Sequence, residues 1–281
     1  MARYGMVIDL TRCNGCYNCQ IACKDEHVGN ESLPYFKAQP SEGHFWMRIE
    51  EKERGQYPRV LVTYIPIPCL HCHHEAPCMG ADRNGALRRR PDGIVLIDPE
   101  NAMGRKELVT SCPFGAIFWN DETNLPQKCT FCAHLLDSDW IEPRCVEACP
   151  TQALVFGDLD DPNSPVSRKL SEVEREFLHG REDVDPSVSY VGLPKPFLAG
   201  TVALGDIDEC AQGAHVTLTD EMTGISLETE TDVFGDFQLS GFTAGRSYAL
   251  SVSMGGYLSQ TVSLRLKKDT TLKEIILKRE G

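Results

Sequence analysis

At 281 residues the chain is long enough to bury two cores of ordinary domain size, and its formal net charge of -13 argues against a surface for nucleic acid or anionic membrane. Its 13 cysteines do not suit a secreted disulfide scaffold, because Met1–Leu10 carries no apolar signal segment and runs directly into Cys13. Metal thiolates in a reducing, cytoplasmic compartment fit better, and no apolar stretch approaches the roughly 20 residues that would span a bilayer as a helix.

In chain order, Tyr4 to Asp9 reads as a short strand delivering the chain to Cys13, Cys16, Cys19 and Cys23. Residues 30–68 read as a β-rich insertion, with the runs His44–Ile49 and Arg59–Ile65 around a turn at Arg54-Gly55-Gln56. A second cysteine group, Cys69, Cys72 and Cys78, precedes a strand predicted over Gly93–Asp98, and Cys112-Pro113 follows it. A third group, Cys129, Cys132, Cys145 and Cys149-Pro150, leads to a closing strand at Leu154–Phe156. Residues 158–197, rich in Asp, Pro, Ser and Glu, read as a linker with one helix from Val166 to His179. From residue 198 to 281 the texture is that of short strands, seven of them (201–204, 214–219, 225–230, 236–240, 247–253, 257–264 and 271–278), punctuated by glycines, which predicts a sandwich or small barrel.

Three thiols at two-residue intervals followed by a fourth is the ligand arithmetic of a cubane iron-sulfur cluster, and in two-cluster ferredoxins the fourth cysteine of such a run serves the other cluster. Cys13, Cys16 and Cys19 therefore look for a remote partner, for which Cys149 is the natural candidate. By the same exchange Cys129, Cys132 and Cys145 take Cys23. Zinc, which also uses paired Cys-x-x-Cys ligands, is the remote alternative, because zinc sites need neither the compact triple at 13, 16 and 19 nor two Cys-Pro endings. His71, His73 and His74 are read as surface histidines or neighbours of the ligands, not as ligands themselves. Arg88-Arg89-Arg90 is read as a solvated run, Trp119 and Trp140 as packing beside the clusters, and Cys210 as a small buried hydrophobe.

With these motifs, residues 1 to about 160 resemble the iron-sulfur (beta) subunits that accompany molybdopterin oxidoreductases, such as the dimethyl sulfoxide, thiosulfate and nitrate reductases. The resemblance implies an α+β fold of tandem ferredoxin-like domains, 1–157, in which typical members hold four 4Fe-4S clusters. Laid onto this sequence, the family pattern places the remaining ligands of the second group at Asp82 and those of a further group at Ala102, Arg105, Leu108 and Cys112. Its pairing rule then leaves Cys69, Cys72, Cys78 and Cys112 as one complete set, while Asp82, Ala102, Arg105 and Leu108 are all non-ligands at a deleted one. The resemblance thus implies three clusters with Fe held through twelve cysteines. The gap between Cys72 and Cys78 is one residue longer than the family pattern.

Residues 198–281, with Thr231-Asp-Val-Phe-Gly-Asp-Phe237 and Gly256-Tyr257, resemble the carboxypeptidase regulatory-like or transthyretin-like β modules, Ig-like sandwiches whose expected role here is docking or stabilising a partner, with plain structural packing as the equal alternative. The family resemblance implies electron transfer beside a large molybdopterin-binding catalytic subunit, with no catalytic residue in this chain. Three clusters, no membrane segment and the added β module point within the family to a cytoplasmic, anaerobic heterodimer acting as a transhydroxylase, which moves a hydroxyl group between polyhydroxybenzenes at molybdenum on the large subunit. Service to another molybdopterin reductase or dehydrogenase is the alternative, and a zinc-binding adaptor the remote one.

Overall fold

The computed structural model describes every residue except Met1, Pro58 and Glu75. The chain divides into two compact units, one of Met1–Glu51 with Thr63–Leu193, the other of Lys52–Val62 with Pro194–Gly281.

In the first unit Tyr4–Asp9 is the central strand of a three-stranded sheet. It runs antiparallel to Leu154–Asp158, with Ile8 opposite Leu154, and parallel to Val188–Val191, with Ile8 opposite Tyr190. Val7 and Ile8 face opposite sides of the sheet, yet both are 0% exposed, as a strand covered on both faces requires. The parallel neighbour comes from the stretch read in sequence as a linker. There Tyr190 is buried and its hydroxyl donates to the Pro66 carbonyl at 2.9 Å, so this segment is part of the first unit's core.

The predicted helix in the same stretch is shorter than expected, Pro165–Glu172 instead of 166–179. Ser164 caps it by accepting the Ser167 N–H at 3.2 Å, and Pro165 occupies the first turn, where its missing donor costs nothing. Lys169 on this helix reaches the buried Asp9 carboxylate at 2.7 Å, which ties the helix to the central strand.

The insertion is a hairpin, Arg48–Gln56 with Arg59–Ile67, in its second half only. Residues 30–47 form isolated bridges, Val28 with Gln39 and Ser32 with Phe36, because Pro34, Pro40 and Gly43 interrupt any ladder. The strand expected over 93–98 is Val95–Ile97, paired with Leu87–Arg89. The cysteines sit on or beside short helices at Asn18–His27, Pro77–Ala81, Ala133–Leu136 and Arg144–Glu147.

The second unit is a two-sheet sandwich. One sheet centres on Phe197–Leu204, flanked by Glu209–Cys210, Asp236–Ser240, Thr270–Thr271 and Ile275–Leu277. The other runs Ser226–Glu230, His215–Asp220, Arg246–Ser253, Gln260–Leu266. The inward residues of both, including Val202, Val216, Leu218, Phe237, Leu250 and Val252, form one core. The expected strand 271–278 is two short ones, and Glu209–Cys210 is an additional one. Cys210, expected to be buried, is exposed, because its two-residue strand has no covered face. Arg54 and Arg59 of the hairpin tip hold Asp269 and Asp236 of this unit.

Candidate iron-sulfur centres

Twelve of the thirteen cysteines lie beside other cysteines, in neighbourhoods that correspond to the expected sets of four. Cys13 and Cys16 come from the loop that enters helix Asn18–His27, Cys19 from the first turn of that helix, and Cys149 from the turn before Leu154. The loop turns sharply: Gly15 and Tyr17 have φ of 70° and 62°, and a Cβ at Gly15 would stand 2.5 Å from the Tyr64 ring, so glycine is required there. Burial, reinforced by the neighbouring Cys13 and Cys149 sulfurs, pushes the Cys19 thiol up to about 12. Burial also acts upward on Cys149, but the Leu154 N–H, the Thr151 hydroxyl and the Ala153 N–H, 3.3 Å from Sγ, outweigh it and hold that thiol below its usual value.

Cys23 lies one turn beyond Cys19 on the same helix face and meets Cys129, Cys132 and Cys145. Phe131 and Cys132 both adopt left-handed φ of 51°, which aims the Phe131 N–H at Cys129 Sγ, 3.4 Å away. Burial raises Cys129 to about 11 and Cys132 to about 12, and it also raises Cys23 and Cys145 well above their usual value.

Cys69, Cys72, Cys78 and Cys112 line an apolar hollow together with His71 and Lys128. Burial, then the charges of Cys69, Cys78 and Cys112, push Cys72 to about 12, and burial pushes Cys78 to about 11. Cys69 also acts on Cys129, and Cys19 on Cys145, so the three groups follow one another in series. With pKa values raised this far by burial, filling the groups with metal must displace protons.

The positions that the family pattern would use for a fourth set are otherwise engaged. Asp82 accepts the backbone N–H groups of Leu87 and Asn84 at 2.8 and 3.2 Å and faces Arg105 at 3.5 Å. Ala102 and Leu108 are 0% exposed, packed with Ala86, Leu87, Val95 and Ile97 in a small separate core. Ala102 and Leu108 thus belong to an apolar plug, and Asp82 and Arg105 pair with each other.

Among the described residues, no three His, Cys, Asp or Glu side chains converge as the ligands of a single metal ion do. A cubane asks for something different: four thiolates held apart around an inorganic core, with N–H groups on their sulfurs. The all-thiol groups, the hollow at the third and the N–H contacts at Cys129 and Cys149 fit that requirement.

Of the other residues singled out in sequence, His74 is exposed and His73 meets the Ser187 hydroxyl at 2.7 Å, while His71 is buried. The arginine run is not simply solvated: Arg90 makes two 2.7 Å bonds to Asp137 and also binds Asp92, and Arg89 donates to the Cys72 carbonyl at 2.7 Å. Trp119 bonds Asp121 under a Lys106 cation, and Trp140 is 41% exposed against Arg144, so neither belongs to the buried cluster of residues that contains the cysteines. That place is taken by Trp46 and Phe131, each 1% exposed. Trp46, Phe131 and Lys128 were not singled out in sequence. Only the adjacency of Lys128 to Cys129 could have drawn attention to it.

Comparison with known proteins agrees with this geometry. A 4Fe-4S dicluster domain matches residues 60–159 and a carboxypeptidase regulatory-like domain matches residues 198–278. The chain is 41% identical over 263 residues to the pyrogallol hydroxytransferase small subunit of Pelobacter acidigallici, covering 91% of this chain and 92% of that one. It is 30% identical to the arsenate respiratory reductase iron-sulfur subunit of a Shewanella species, over 67% of this chain and 96% of that one. It is 33% identical to a tetrathionate reductase subunit of Salmonella typhimurium, over 70% of this chain and 75% of that one.

Proposed function

Since the chain belongs to the iron-sulfur subunits of the molybdopterin oxidoreductases, we propose that it is the small subunit of a transhydroxylase, holding three 4Fe-4S clusters beside a catalytic large subunit that carries the molybdopterin. The first cluster takes Cys13, Cys16, Cys19 and Cys149, the second Cys23, Cys129, Cys132 and Cys145, and the third Cys69, Cys72, Cys78 and Cys112. When bound, such clusters supply one-electron storage and transfer. The chain's own contribution is to keep the thiols dry, close-set and supplied with N–H donors, and to place Cys19 and Cys23 one helical turn apart so that neighbouring clusters stand within electron-transfer reach.

The observation that carries the choice of reaction is coverage. The match to the pyrogallol enzyme runs through both the cysteine-bearing unit and the β module, whereas the two reductase subunits match only about two-thirds of the chain. Hydroxyl transfer between polyhydroxybenzenes is redox-neutral overall, so the clusters would hold electrons within the enzyme and pass none outward. No helix among the described residues is long and apolar enough to cross a membrane, and the heterodimer is proposed to be cytoplasmic.

The test is an assay of the purified two-subunit complex with pyrogallol and tetrahydroxybenzene and no added electron acceptor. Phloroglucinol is the expected product. An absolute need for an acceptor would assign the chain to a reductase or dehydrogenase instead.

A further inference from the structure

One of the side chains lining the hollow ringed by Cys69, Cys72, Cys78 and Cys112 carries a buried polar atom with no hydrogen-bond partner among the described residues. That side chain is His71, 1% exposed. Its Nδ1 accepts the Val95 backbone N–H at 3.0 Å, so the imidazole hydrogen sits on Nε2, and Nε2 has no hydrogen-bond partner among the described residues. The ring is held firmly in this attitude. Phe131 stacks on it with centroids 4.0 Å apart, the Ser187 hydroxyl donates to its carbonyl at 3.2 Å, and its φ of 45° is a left-handed value that a non-glycine residue keeps only when its surroundings impose it. A buried donor left unpaired is costly, and a cluster held in a ring of four cysteines would bring sulfur acceptors to it.

Lys128 lines the same hollow at 2% exposure. Its ammonium group donates to the carbonyls of Val95 and Cys129, both neutral acceptors, so neither bond cancels its charge.

We propose that His71 Nε2–H donates a hydrogen bond to a sulfur of the cluster held by Cys69, Cys72, Cys78 and Cys112, and that this bond and the Lys128 cation together raise the reduction potential of that cluster. The inference rests on the third ligand set proposed above. Reduction adds one electron, taking the cluster core from the 2+ to the 1+ level with no bond broken. A donor and a cation aimed at the sulfurs both favour the more negative state. Neither residue is a ligand; both are positioning residues for the cluster's charge.

The test is a dithionite titration of the anaerobically purified protein, followed by electron paramagnetic resonance. His71→Phe and Lys128→Met should each shift the midpoint of one cluster to lower potential and leave the other two where they were. His71→Gln, which keeps an N–H donor, should recover part of the shift. In the wild-type protein labelled with nitrogen-15 histidine, pulsed resonance should find an exchangeable proton and an imidazole nitrogen coupled to one cluster, and this signal needs no variant to fold. Unmoved midpoints in fully loaded His71→Phe, or no such coupling in the wild type, would overturn the proposal. An iron content of about eight per chain in place of about twelve would instead remove the third ligand set, and the inference with it.

Discussion

Cys112→Ser should cost the protein one cluster and spare two, lowering iron from about twelve to about eight atoms per chain with a matching loss of sulfide. Cys112 follows the short helix Glu107–Thr110 and lines the hollow together with Cys69, Cys72 and Cys78. A serine hydroxyl is a poor substitute for a thiolate toward iron, and the remaining three thiols leave one iron corner open. The first two thiol groups draw no residue from 100–120, and the plug around Ala102 and Leu108 packs on its own apolar contacts, so the fold beside the lost site should persist. Electron paramagnetic resonance of the reduced variant would show which spectrum disappears. Loss of all three signals, or of none, would refute the grouping of the thiols.

Gly235→Ala should destabilise the β module severely while Gly224→Ala is mild. Both glycines have left-handed φ, 73° and 72°. At Gly235 an added Cβ would stand 2.3 Å from the Val202 carbonyl oxygen, a backbone atom that cannot swing away, whereas at Gly224 it would meet nothing within 4 Å. The turn is also bonded throughout. The Gly235 N–H donates to the Asp232 carbonyl at 2.9 Å, its carbonyl accepts the Val202 N–H at 2.8 Å, and the Asp232 carboxylate takes the N–H groups of Phe234 and Asp236. Left-handed strain and overpacking together cost about 2–5 kcal/mol at Gly235, against about 1 kcal/mol of strain alone at Gly224. Denaturant-dependent proteolysis of the full chain, with cut sites mapped to residues 194–281, would measure both. Equal effects would mean that the close approach to Val202 plays no part.

The same turn shows what the sequence could convey. Thr231-Asp-x-x-Gly-x-Phe237 marked the β module because each position has a local duty, and the alternation in His215–Asp220 and Arg246–Ser253 is the ordinary signature of a half-covered strand. The cysteine groups were legible for a related reason: ligand spacing is local even when the fourth ligand is distant. What was hidden depended on tertiary cover. Val188–Val191 looks like linker because it is four residues set among prolines and acids, and it becomes a strand only because Tyr4–Asp9 offers it an edge. Arg90 looked solvated until Asp137, 47 positions away, came to meet it. Cys210 has the composition of a buried residue and the position of an exposed one. His71 could be placed near the ligands from its neighbours in sequence, but the free Nε2 depends on Val95 occupying the other nitrogen.

Three cubanes in one chain is the central claim, and counting iron and acid-labile sulfide in anaerobically purified protein, alongside electron paramagnetic resonance of the reduced state, tests it most directly. The expected result is about twelve of each per chain, with signals from three interacting clusters. Zinc without sulfide, or iron well below that count in protein shown to be fully loaded, would contradict it.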